Sequence, residues 1–151
     1  MTTASTTDYG DESRGLRIER EGKGSYLVRN GRGGEVRIAI GGTPDSFTPG
    51  ELLQLSVALC EALSADHVLA SRLGDDFAAS VTIDSEFDSP SKRFTSISTR
   101  VEADMSEFPA EKHPLLIERS EKAIHRICAV GHTVEQGAEV RVAVVDGARG
   151  A

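Results

Sequence analysis

Tryptophan is missing from the sequence, aromatic residues make up only 5% of it, and it has just two cysteines. A core built without large rings must rely on aliphatic side chains. Two cysteines are too few for a disulfide-framed mini-protein. Positive charge is also scarce. Lys and Arg total 17 against 24 Asp and Glu, giving a net charge of −7. A nucleic-acid partner usually needs a basic stripe, so none is expected. No uncharged run of eighteen apolar residues occurs, so no membrane span is expected. The start, MTTASTTDYGDESRG, has neither a basic n-region nor an apolar h-region, and no signal peptide is expected. A cytoplasmic location and reduced thiols follow as expectations.

What is present is enough for one domain: 151 residues, 38% of them apolar. Residues 1–14 read as a disordered polar lead, 15–146 as the folded domain and 147–151 as a loose tail. Three short stretches, LRIER (16–20), SYLVRN (25–30) and EVRIAI (35–40), alternate apolar and polar residues between glycine-bearing turns. They predict an antiparallel meander. Leu16, Ile18 and Arg20 share one strand face, expected to point inward. Thr48, Pro49 and Glu51 form a helix start, with a capping residue, proline at the first helical position and an acid three residues after the cap. The helix is predicted over 49–73, ending at Gly74, and is about 37 Å long at 1.5 Å per residue. Leucines and valines cover most of its circumference, which suits a central position. Residues 77–87 and 94–105 alternate as a long hairpin. A second helix is predicted over 114–128, broken by Gly131, with a last strand over 133–146. The order βββ-α-ββ-α-β predicts an α+β fold with an antiparallel sheet and two central helices.

Cys60 and Cys128 fall on the apolar sides of the two helices, so they can meet although far apart in sequence. Periodicity equally allows each to be a small core hydrophobe. His125, Cys128 and His132 lie close in sequence, but no metal-ligand signature is formed and no metal is expected. GRGGE is a hairpin turn rather than a phosphate cradle, because no helix follows it.

The Thr-Pro-Gly-Glu-Leu-Leu helix start with a cysteine nine residues after the glutamate resembles the first helix of the OsmC/Ohr family, the osmotically inducible and organic hydroperoxide resistance proteins. The stretch EKAIHRICAVGHTV is similar to that family's second cysteine motif, REGKG to its N-terminal hairpin, and the resemblance spans about residues 15–146. It implies an intertwined homodimer and a thiol peroxidase that reduces organic, lipid-derived hydroperoxides to alcohols. Cys60 would be the peroxidatic thiol and Cys128 the resolving one, linked after turnover by a disulfide. Arg20 would favour the Cys60 thiolate, with Arg29 and Arg32 as runners-up. Glu51 would hold the arginine, although its capping role is also a sufficient reason for it. The family's acid most typically stands ten residues before the first cysteine, where this chain has Gly50. Ala129 and Gly131 replace a frequent Pro and Ser. An external dithiol of lipoamide or thioredoxin type would restore the thiols, and no cofactor is implied. The alternative is an OsmC-like fold of weak or lost activity that serves as a stress-associated binding protein.

Overall fold

The computed structural model describes residues 13–149. Most of the expected lead (1–14) and the end of the expected tail (147–151) lie outside the described residues. Gly147–Arg149 forms a single 3-10 turn. The chain divides into two compact units, one ending at Gln54 and one beginning at Leu55.

The first unit is a three-stranded antiparallel meander, β1 (Arg17–Gly22), β2 (Ser25–Arg29) and β3 (Glu35–Ala39), in the order β1-β2-β3. Gly24, at φ 68°, supplies the left-handed residue that the tight β1–β2 turn needs. The register aligns Ile18 with Val28 and Val28 with Val36, and Arg20 with Tyr26 and Tyr26 with Ile38. One face is therefore apolar with Arg20 set into it, as the alternation predicts. The inward orientation is not observed: Ile18 is 68% exposed, and Leu16 and Tyr26 are also exposed. The opposite face is held by ion pairs, Arg29 to Glu19 (2.6 Å) and Glu35 (2.8 Å), and Arg37 to Glu21 (2.7 Å).

Helix α1 (Pro49–Leu73) begins with the predicted capping box. The Glu51 amide donates to Thr48 Oγ1 (3.1 Å), and the Thr48 amide donates to Glu51 Oε2 (2.8 Å). The helix stops at Gly74, whose φ of 95° no β-carbon tolerates well. By length and composition α1 could cross a membrane. Its middle, however, makes protein contacts through Glu61 and Ala65.

The second unit pairs strands β4 (Ala79–Asp88) and β5 (Arg93–Ala103) in a long antiparallel hairpin. Val81 faces Val101, Ile83 faces Thr99 and Ser85 faces Ile97, all half-buried, while their neighbours are mostly exposed. This is the alternation expected of a sheet with one wet face. Helix α2 (His113–Ile127) follows a 3-10 turn at Ala110–Lys112. The core is Ala65 and Leu69 of α1 against Leu116 of α2, with Val101, Ala103 and Phe108 packed around them. Its small aliphatic side chains match a sequence poor in rings.

Two features depart from expectation. The strands form two separate sheets rather than one. The expected strand over 133–146 is not formed. Residues Ala129–Gln136 make a third helix, α3, and 137–146 run on without ladder partners. Val140, Val142 and Val144 are 89–97% exposed. Alternating valines favour a strand, but a strand exists only where another offers its hydrogen bonds, and none of the described residues does. The mixed α+β class and the antiparallel pairing stand. A dimer is not contained in a single chain.

Candidate functional site

Cys60 lies in the middle of α1, half-buried. Cys128 lies in the break between α2 and α3 and is only 3% exposed. Its backbone (φ −72°, ψ 90°) leaves the helical region, which ends α2. The same residue then caps α3 with its sulfur, and the Gly131 amide donates to Cys128 Sγ at 3.3 Å. Gly131 is thus inside α3, and the helix break sits three residues earlier than the sequence suggested.

The two cysteines, 68 positions apart in the chain, lie close enough for the Cys60 side chain to act on the ionisation of Cys128, and both are free thiols. Burial is the main cause that pushes the Cys128 thiol up to about 11. The Cys60 side chain adds to this, as does the negative field of Glu61, while the Gly131 amide acts in the opposite direction. At neutral pH Cys128 therefore keeps its proton.

Gly131 has a second effect on this sulfur. A β-carbon there would lie 3.1 Å from Cys128 Sγ, which is closer than ordinary van der Waals contact. The glycine lets the α3 backbone come close enough for its amide to reach the thiol.

Sequence reasoning overlooked Glu61, a carboxylate whose charge acts on Cys128. Thr99 of β5 donates its hydroxyl to Glu61 Oε2, which ties the cysteine turn of α1 to the hairpin. The available signal was a lone acid next to Cys60 in an otherwise apolar stretch. Ser64 Oγ donates to the Cys60 carbonyl at 2.6 Å, so the hydroxyl beside the thiol is already engaged.

The remaining predicted site residues belong to the first unit. Arg20 is exposed on the apolar sheet face, and no ion pair among the described residues engages it. Arg29 is committed to Glu19 and Glu35, whose hydrogen bonds push its guanidinium up from the usual arginine value. Arg32 is exposed in the β2–β3 turn. Glu51 uses Oε2 in the capping box. No group of three or more metal-ligating side chains is found among the described residues. His132 Nε2 pairs with the His125 carbonyl (2.8 Å), a local contact across the helix break.

A family model described as OsmC-like protein matches residues 42–143. Uncharacterised proteins of Mycobacterium tuberculosis and Mycobacterium bovis are each 34% identical over 131 residues, spanning 87% of this chain and 96% of theirs. Among solved structures, a hypothetical protein of Aquifex aeolicus superposes with a TM-score of 0.57 at 16% identity, covering 80% of this chain and 86% of that one. A Psychrobacter arcticus protein, provisionally described as an osmotic stress induced and detoxification response protein, gives 0.57 at 14% identity, covering 79% and 86%. At these identities the structural matches speak for the fold alone.

Proposed function

We propose, from the premise that this chain belongs to the OsmC-like protein family, that it is a cytoplasmic thiol peroxidase for organic, lipid-derived hydroperoxides. The observation that carries this reading is that two free thiols from distant parts of the chain are brought near enough to influence each other's ionisation. Structural cysteines have no need to meet without bonding, whereas a redox pair must.

The assignment of roles follows from burial. Cys60, the more accessible sulfur, attacks the terminal peroxide oxygen as a thiolate. The O–O bond breaks, the sulfur is oxidised to a sulfenic acid, and the alkoxide leaves with a proton as the alcohol. Cys128, whose ionisation Cys60 already influences, attacks the sulfenic sulfur. A Cys60–Cys128 disulfide forms and water departs. An external dithiol of lipoamide or thioredoxin type then returns both thiols by exchange, becoming a disulfide itself. An alkyl hydroperoxide suits the aliphatic residues that flank Cys60 along α1, Leu59 and Leu63 among them.

The attacking thiolate needs a cation in apolar surroundings. Arg20 is our choice. It is set in an apolar sheet face and carries no ion pair among the described residues, unlike Arg29. Glu51 Oε1, which the capping box leaves free, is our choice to orient that guanidinium. The working form is a homodimer. The open apolar face of the first sheet and the unladdered valines of 137–146 are the surfaces a second copy would cover.

One equivalent of cumene hydroperoxide tests the reading by a count of free thiols. Both thiols should disappear within seconds, and Cys60→Ser should abolish the loss. Thiol loss no faster than that of free cysteine would refute the peroxidase and favour the inactive binding protein, a reading that Gly50 supports because it stands where relatives most often carry an acid.

A further inference from the structure

On the second unit, the C-terminal half of α1 and the start of α2 frame a cleft of about 640 Å³. Neither cysteine lines it. His67, its first lining residue on α1, lies seven residues beyond Cys60, which is about 10 Å along a helix axis. The cleft is therefore separate from the thiol pair.

Its lining combines two chemistries. Val68, Phe108 and Leu115 give an apolar floor, while Arg72, Lys112 and Arg119 bring three permanent positive charges. No carboxylate lines it, although acids outnumber bases by 24 to 17 in the chain. None of the three cations has an ion-pair partner among the described residues. Arg72 also borders an adjoining recess with Asp76 and Asp104 but pairs with neither. The floor is held in place, because the His113 ring stacks on Phe108 (6.0 Å between centroids) and bonds its carbonyl at 2.8 Å. Lys112 is also the residue from which α2 starts, with no side-chain cap and no acid in the helix's first turn.

We propose that this cleft binds an amphipathic monoanion: an unbranched alkyl chain of fatty-acid size whose carboxylate sits among Arg72, Lys112 and Arg119. The volume falls in the range of about 300–1,000 Å³ found for small-molecule sites. Guanidinium forks match a carboxylate, and the aliphatic floor matches the chain. A small inorganic anion would leave the floor wet, and an uncharged alkane would leave three unpaired cations crowded together.

Titration calorimetry of the full chain with sodium decanoate tests this, with 1-decanol and sodium acetate as the two half-ligands. Decanoate should bind once per chain. Decanol should bind at least about tenfold more weakly, and acetate should show no saturation. The Lys112→Gln/Arg119→Gln variant should lose about tenfold or more in decanoate affinity while keeping its melting temperature and its thiol reactivity with hydroperoxide. Lys122→Gln, which breaks only the exposed pair with Glu118, should bind normally. Raising potassium chloride from about 0.02 to about 0.5 M should weaken decanoate several-fold, a test that needs no variant. Equal affinity for decanol and decanoate overturns the proposal, and so does undiminished affinity in the double variant or at high salt. Binding to phosphatidylglycerol vesicles without binding of monomeric decanoate also overturns it, in favour of a membrane surface. Because the cleft lacks both cysteines, loss of peroxidase activity in other variants leaves this test intact.

Discussion

The inequality of the two thiols yields a kinetic prediction with a definite size. Only a thiolate reacts with iodoacetamide, so labelling rates report ionisation together with access. A thiol at the ordinary value of 9.0 is roughly 9% ionised at pH 8, whereas one pushed up to about 11 is roughly 0.1% ionised. Cys128 should therefore be carboxamidomethylated about a hundredfold more slowly in the folded protein than in urea, before any further slowing by its burial. Initial rates at pH 8, followed by proteolysis and mass spectrometry of the two cysteine peptides, separate Cys128 from Cys60 within one sample. Initial rates matter because alkylation of Cys60 alters its influence on the Cys128 proton. In urea the two rates should converge. A folded Cys128 that reacts within about threefold of its rate in urea would refute the reasoning, since neither burial nor the Cys60 side chain could then be acting as described.

Stability should register the same shift. The folded state holds the Cys128 proton more tightly than the unfolded chain does, so the contribution is complete below about pH 9 and is lost as pH rises to about 11. Two pH units correspond to about 3 kcal/mol at most, so urea unfolding of the wild type should lose measurably more than Cys128→Ser over this range, and equal losses would contradict it. Gly131→Ala should forgo the gain of about 0.5–1 kcal/mol that replacing a helical glycine usually brings, because the new methyl meets Cys128 Sγ at 3.1 Å. Thermal melts of that variant should show no rise, and Cys128 should label several-fold faster; a full stabilisation with unchanged labelling would show that the sulfur has room. Thr99→Val removes the donor to the half-buried Glu61 carboxylate and should cost about 1–3 kcal/mol by urea unfolding, whereas a neutral result would mean that water replaces the hydroxyl.

Much of the fold was legible because its signals are local. The Thr48, Pro49 and Glu51 start and the Gly74 stop mark α1 to the residue, since capping and positive φ are decided within a turn of chain. Strand faces were legible from alternation, including the position of Arg20 among Ile18, Tyr26 and Ile38. Whether a face is covered is not a local property, and the expectation that it points inward did not hold for this sheet. The end of the chain misled for a related reason. Val140, Val142 and Val144 form a genuine strand pattern, and the expectation extended it back over residues that form α3. The signal that starts α3 is a sulfur accepting the Gly131 amide, which is far less recognisable in sequence than a serine or aspartate cap. The meeting of the two cysteines could be foreseen as a possibility because both lie on apolar helix faces. Their ranking was available only from the family resemblance, because physically it depends on burial, on Glu61 and on the path of α3 around Cys128.

That ranking also sets a direction for the proposed cycle. If both sulfurs ionised readily, either could be oxidised first, and two anions held in contact would repel. Burial, the Cys60 side chain and the field of Glu61 together keep a proton on Cys128, so the pair carries at most one negative charge near neutral pH. First attack then falls to the more accessible Cys60. Once Cys60 is oxidised, its influence on Cys128 is altered, and one of the causes that suppress Cys128 ionisation disappears. The Gly131 amide remains and favours the Cys128 thiolate at the stage when it must attack. On this account the resolving thiol is held back by the very sulfur it later joins, and the glycine at 131 admits the amide that favours its release.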